Sequence, residues 1–115
     1  MKYDKTTIKL IRKNVRFSEQ IATLIKDAVI ARGISENELV SACISNAIKE
    51  YKNTCPIFSN DKYKVYEPRA IPMNYRFTEQ LANDITTAAD RWQVGSQNEV
   101  IALSVFMSLS NKKFK

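Results

Sequence analysis

The chain contains one stretch of sequence twice, and this internal repeat limits the folds that are open to it. Residues 14–28 (NVRFSEQIATLIKDA) align with residues 74–88 (NYRFTEQLANDITTA), and eight of the fifteen positions are identical. Average residue frequencies would give about one identity by chance. Further along, the offset grows from 60 to 61, so that residues 35–40 (SENELV) align with residues 96–101 (SQNEVI). The sequence therefore predicts two copies of one structural unit.

The alignment divides the 115 residues into four segments. A basic N-terminal arm, residues 1–10, precedes a first repeat at residues 11–52. A linker at residues 53–69 then leads to a second repeat at residues 70–112. About forty residues bury too little apolar surface to fold alone, and a single strand leaves its backbone groups unpaired. We therefore expect the two repeats to form one pseudo-dimeric domain.

Each repeat has the pattern of a strand followed by two helices. Apolar and polar residues alternate over residues 11–17 and again over 71–77, which is the period of a half-buried strand. Ser18 and Thr78 stand at N-cap positions, and the sequences SENE and SQNE predict capping boxes at the second helices. The expected fold class is α+β, mostly α, with β-α-α occurring twice. The two strands should form an antiparallel ribbon over four helices.

The composition argues against an enzyme and against a membrane protein. The chain has no His, which excludes imidazole bases, Ser–His and Cys–His pairs and most zinc sites. Cys43 falls on the apolar stripe of a helix and is expected in the core, while nothing near Cys55 in the sequence activates its thiol. We expect no catalytic residues, no metal and no cofactor. The first residues lack the apolar core of a signal peptide, and no apolar run could span a membrane, so a cytoplasmic protein is expected.

The charge distribution indicates an anionic partner. Eighteen Lys and Arg residues face twelve Asp and Glu residues, which gives a formal net charge of +6. Residues 1–16 alone carry six basic side chains and one acidic side chain. Such a local excess is the electrostatic footprint expected for contact with a phosphate backbone.

The order of strand, capped helix, glycine joint and second capped helix resembles the ribbon-helix-helix family of DNA-binding proteins, which includes the Arc and MetJ repressors. The sequence NVRF at residues 14–17, repeated as NYRF at 74–77, resembles the family's strand, whose alternating polar side chains enter the major groove. Two such units in one chain are similar to the TraY-type accessory proteins of plasmid conjugation. The resemblance implies sequence-specific binding to double-stranded DNA, as a transcriptional repressor or as a relaxosome accessory protein. A relaxase or another plasmid-transfer protein is an expected partner in the second case.

The candidate DNA contacts follow from the outer face of the ribbon and from the positive ends of the second helices. Arg can pair with guanine O6 and N7, and Asn with adenine N6 and N7, whereas free amides at helix N-termini suit phosphate. The expected base contacts are Arg12, Asn14, Arg16, Asn74 and Arg76. The expected phosphate contacts are Lys2, Lys5, Lys9, Lys13, Ser35, Glu36, Asn37, Ser96, Gln97 and Asn98.

A second function stays open, namely an antitoxin-type interaction module that binds a partner protein as well as DNA. A toxin-binding tail usually follows the DNA-binding domain of such a module, and only residues 111–115 are left at the C-terminal end of the second repeat. We therefore expect DNA binding to be the main activity, with further copies of the chain as possible neighbours on DNA.

Overall fold

The computed structural model describes residues 9–52 and 71–110, which form an α+β, mostly helical arrangement of four helices and one two-stranded antiparallel sheet. In chain order the elements are β1 (Leu10–Phe17), α1 (Glu19–Arg32), α2 (Glu36–Glu50), β2 (Ile71–Thr78), α3 (Glu79–Trp92) and α4 (Gln97–Ser110). None of the helices described is long and apolar enough to cross a membrane. The predictions made for most of the N-terminal arm and for the linker, including Cys55, lie outside these residues.

The two strands pair antiparallel within one chain, which confirms the predicted pairing. Asn14 lies opposite Asn74 at the centre of the ribbon. On either side of this central pair, Arg12 lies opposite Arg76, and Arg16 lies opposite Pro72. Each strand is one residue longer than predicted, since β1 begins at residue 10 instead of 11 and β2 ends at residue 78 instead of 77.

The ribbon has an apolar inner face that covers the helices and an exposed polar outer face. Val15, Phe17, Tyr75 and Phe77 point inward and are at most 3% exposed. Lys13 interrupts the inner row opposite Tyr75 and is only half-buried. The burial pattern therefore has the period of two that the alternating sequence predicts.

The helices begin at the predicted capping residues. The Ser18 hydroxyl accepts a hydrogen bond from the amide of Ile21 at 3.3 Å, and the Thr78 hydroxyl accepts one from the amide of Leu81 at 3.1 Å. Ser35 forms a complete capping box with Glu38 at the start of α2. These bonds satisfy amides that the first turn of a helix cannot pair internally.

The core is centred on α2 and α4, which pack against each other beneath the ribbon. Helix α4 is buried around most of its circumference, as its continuous apolar sequence predicts. Cys43 of α2 is 2% exposed, and burial raises the pKa of its thiol to about 11. Its predicted role as a core residue is confirmed. Trp92 is also in the core, where its indole N–H donates to the carbonyl of Tyr51 at 3.4 Å.

Candidate nucleic-acid interface

The outer face of the ribbon brings together the five side chains that the sequence predicts as base contacts. All five are exposed, and they occupy three alternate cross-strand pairs, of which Asn14–Asn74 is the central one. A shallow concavity on this face is lined by residues of both strands and, at one end, by Asn98 of α4. The five predicted base contacts form a cluster on the outer face, and all of them except Arg76 line this concavity: Arg12, Asn14, Arg16, Asn74 and Arg76.

The electrostatics of this outer face suit a ligand that is rich in hydrogen-bond acceptors. It carries three guanidinium groups and two carboxamides, and neither strand contains an Asp or a Glu. Arg12 and Arg76 lie directly opposite each other. Like charges in such a pair destabilise a sheet by a few tenths of a kcal/mol, up to about 1 kcal/mol. The arrangement therefore costs stability in the free protein and becomes favourable when an anion or an acceptor lies over it.

Two asparagines at the helix N-termini hold the edges of the ribbon. The backbone amide of Arg16 donates to Oδ1 of Asn98 at 2.7 Å, and Nδ2 of Asn98 donates to the carbonyl of Arg16 at 3.0 Å. Asn37 forms the same two bonds with the backbone of Arg76, both at 2.8 Å. Each bond pair joins a helix of one repeat to the strand of the other, so the connections run crosswise.

The same contacts explain why β2 tolerates Pro72 within the strand. In an antiparallel ribbon the amide and the carbonyl of one residue point to the same side. Both groups of Arg16 point away from β2, towards Asn98, so Arg16 and Pro72 form a pair without ladder hydrogen bonds. The missing N–H of Pro72 therefore removes no bond between the strands.

On the inner side of the ribbon, two further polar contacts connect strands to helix N-termini. Nζ of Lys13 donates to Oε1 of Gln97 at 2.7 Å, and the hydroxyl of Tyr75 donates to Oε2 of Glu36 at 2.7 Å. Burial and the neighbouring Glu36 carboxylate raise the pKa of Tyr75 above its usual value, so the phenol stays a donor. Both contacts fix the first turn of a helix beneath the opposite strand.

The residues predicted as phosphate contacts are therefore placed in different ways. The side chains of Lys13, Glu36 and Gln97 bond to other parts of the protein, as do those of the two asparagines. Ser35 and Ser96 accept bonds from the amides of Glu38 and Glu99, at 3.1 and 3.2 Å. Lys9 is exposed just before β1, whereas Lys2 and Lys5 lie outside the described residues. Any phosphate contact at the helix ends would thus come mainly from backbone amides.

Sequence reasoning missed that Asn37 and Asn98 bond to the ribbon. A signal was available, because the two predicted capping boxes read SENE and SQNE and share Asn besides the Ser and Glu that a box requires. An identical residue without a local role indicates a partner elsewhere. The partner itself was hidden, since the contacts span 39 and 82 residues.

Comparisons of the chain with protein-family models, with curated proteins and with solved structures found no match. Within the described residues, no group of three or more His, Cys, Asp or Glu side chains is placed to hold a metal ion.

Proposed function

We propose that this chain is a tandem ribbon-helix-helix protein that binds double-stranded DNA sequence-specifically. Its two repeats act as a pseudo-dimer, and the antiparallel ribbon enters the major groove with its outer face towards the bases. The observation that carries the proposal is the cluster of Arg and Asn side chains in three alternate cross-strand pairs, all on the outer face. A two-stranded ribbon fits the major groove of B-DNA, and these side chains are the ones that pair bidentately with guanine and adenine.

The helix N-termini support the same placement of DNA. The first turns of α2 and α4 lie at the two edges of the ribbon, where Asn37 and Asn98 attach them. Their amides and the positive ends of the helix dipoles favour phosphate groups. A ribbon in the groove would bring one such end towards the backbone on each side, with Lys9 adding charge near the start of β1.

The biological role that fits this interface is transcriptional repression or service as a relaxosome accessory protein in plasmid conjugation. Both roles use a ribbon that reads one DNA site. In the second role, a relaxase or another transfer protein would be a further partner. Either role places the protein in the cytoplasm.

Selection of binding sites from a pool of random DNA duplexes tests the proposal. The wild-type protein should recover a defined motif, and Arg16→Ala and Arg76→Ala should each lose about 1–3 kcal/mol of discrimination at one base position. Replacing one of these guanidinium groups removes a bidentate donor but leaves the backbone of the ribbon in place. Retention of the wild-type motif by both folded variants would contradict the proposal.

Two further variants control for charge alone. Arg91→Ala removes an exposed cation from α3, away from the outer face, and should leave the motif unchanged. Lys9→Ala should weaken binding to all sequences about equally. It should also reduce the slope of the logarithm of the binding constant against the logarithm of the salt concentration by about one. A loss of base preference in either control would show that net charge, not the ribbon face, sets specificity.

A further inference from the structure

Asn37 and Asn98 bond to the backbone of two of the arginines that the proposed function uses to read bases. Each carboxamide accepts one bond from the arginine amide and donates one to the carbonyl of the same residue, over distances of 2.7 to 3.0 Å. The two bond pairs occur at equivalent positions of the two repeats. We call them the crosswise clamps.

The clamps act on particular residues of the ribbon edge. In a two-stranded ribbon, the amide and carbonyl of every second residue point away from the other strand, towards an edge where no further strand pairs with them. Asn14 and Asn74 belong to this set, as do Arg16 and Arg76. Among the described residues, clamp bonds form only at the two arginines. Both clamped residues are thus arginines, while Arg12, which has the same parity, carries no clamp.

A bidentate contact from Arg to guanine needs two parallel hydrogen bonds in one plane. The direction in which the guanidinium can reach depends on the position and orientation of its Cα. Two bonds to the backbone of one residue restrict both, whereas one bond would leave a hinge. A clamp also joins the arginine of one repeat to the N-terminus of a helix from the other repeat.

We propose that Asn37 and Asn98 are positioning residues, which fix the backbone of Arg76 and Arg16 so that these side chains meet their bases in one geometry. The inference rests on the proposed function. The clamps lie on an exposed edge, where water can replace either bond at small cost. Their removal should therefore change base preference more than it changes folding.

Amide hydrogen exchange in the free, full-length protein tests the first half of this inference. The amides of Arg16 and Arg76 should exchange more slowly than those of Asn14 and Asn74, which share their parity. Asn37→Ala should speed exchange at Arg76 by roughly 2- to 10-fold, with little change at Arg16, and Asn98→Ala should do the reverse. Equal exchange at all four amides, or no response to the variants, would overturn the inference.

Site selection from random duplexes tests the second half. Asn37→Ala should reduce the base preference that Arg76→Ala abolishes, and Asn98→Ala should reduce the one that Arg16→Ala abolishes. The controls Asn46→Ala and Asn83→Ala replace exposed asparagines on the helices and should keep the full motif. A full motif in both clamp variants would overturn the positioning role.

The two possible failures are distinguishable. If the wild-type protein selects no motif at all, the proposed function fails, whatever the exchange data show. If the wild-type protein selects a motif, and both clamp variants keep that motif but bind all sequences more weakly by the same factor, the asparagines contribute only affinity and the positioning role fails.

Discussion

At the scale of the residue, Ser104 combines complete burial with a hydroxyl that has no hydrogen-bond partner among the described residues. It lies in α4 at the position that corresponds to Cys43 in α2, given the offset of 61 between the second helices. A buried thiol behaves as a small apolar group, whereas a buried hydroxyl without a partner keeps its desolvation cost. Cys43 is therefore well suited to its core position, whereas Ser104 is poorly suited to the equivalent position in the second repeat.

Ser104→Ala should stabilise the protein. Removing the unpaired hydroxyl relieves its desolvation cost, and Ala is also the better helix former, so a gain of about 1 kcal/mol is expected. For a domain of this size the melting temperature should rise by roughly 4 °C. Ser108→Ala is the matched control, because the Ser108 hydroxyl is buried but donates to the carbonyl of Cys43 at 3.2 Å. A Ser104→Ala variant that melts no higher than Ser108→Ala would count against this account.

Residues with a local function could be predicted from the sequence, and residues with a distant partner could not. The caps at Ser18, Thr78 and Ser35 are set by bonds to amides three residues away, so their spacing alone predicts them. Asn37 stands in the same kind of motif as Ser35, yet its bonds reach a strand of the other repeat. Only the packed arrangement of the two repeats brings those groups together.

At the scale of the element, the two repeats end their first helices differently. Helix α1 is capped at its C-terminus by Gly33 in the left-handed region, with φ at 66°, while α3 is capped by Gln93 with φ at 57°. Glycine adopts this conformation freely, whereas a side chain makes it costly. The second repeat has one extra residue at this joint, which explains why its glycine, Gly95, falls beyond the capping position.

Gln93→Gly should stabilise the protein by roughly 1 kcal/mol, because it removes the left-handed strain without removing the capping bonds. The amide of residue 93 would still donate to the carbonyls of Ala89 and Asp90. Thermal unfolding measures the gain. Gln93→Ala keeps the strained backbone and should give little change.

Gly33→Gln is the reverse experiment. A Cβ at Gly33 would meet nothing within 4 Å, so the whole cost of the substitution comes from the backbone. The loss should be about as large as the gain at position 93. The control Gln93→Ala tests the same explanation at the other joint. If it stabilised the protein strongly, the Gln side chain and not the backbone would be unfavourable at position 93.

The strands show why an alternating pattern predicts the two faces of a strand but not which residues of the partner strand lie opposite. Their inward and outward residues follow from the period of two. Register does not follow from it, because every shift by two residues keeps the same faces. The observed register opposes Arg12 to Arg76 and Arg16 to Pro72, and these oppositions define the candidate interface.

At the scale of the whole molecule, the ribbon has an approximate two-fold axis through the Asn14–Asn74 pair, and its two ends are chemically unequal. Under the offset of 60, Arg16 corresponds to Arg76, but Arg12 corresponds to Pro72. One end of the outer face thus presents two guanidinium groups, and the other presents one guanidinium beside a proline. A dimer of identical chains could not differ in this way.

If the ribbon reads DNA, the preferred site should be asymmetric. Proline has no side-chain donor, whereas one bidentate arginine contact contributes about 1–3 kcal/mol of discrimination, or roughly 5- to 150-fold. Random-duplex selection should therefore return a motif with one strongly constrained half and one weaker half. Pro72→Arg should make the halves more equal by adding contacts at the weaker end. The substitution leaves the pairing of the strands unchanged, because no ladder bond depends on position 72. Arg12→Ala should also equalise them, by weakening the stronger half. Recovery of perfect inverted repeats by the wild-type protein would mean that two chains bind symmetrically, and the single-chain pseudo-dimer would have to be abandoned.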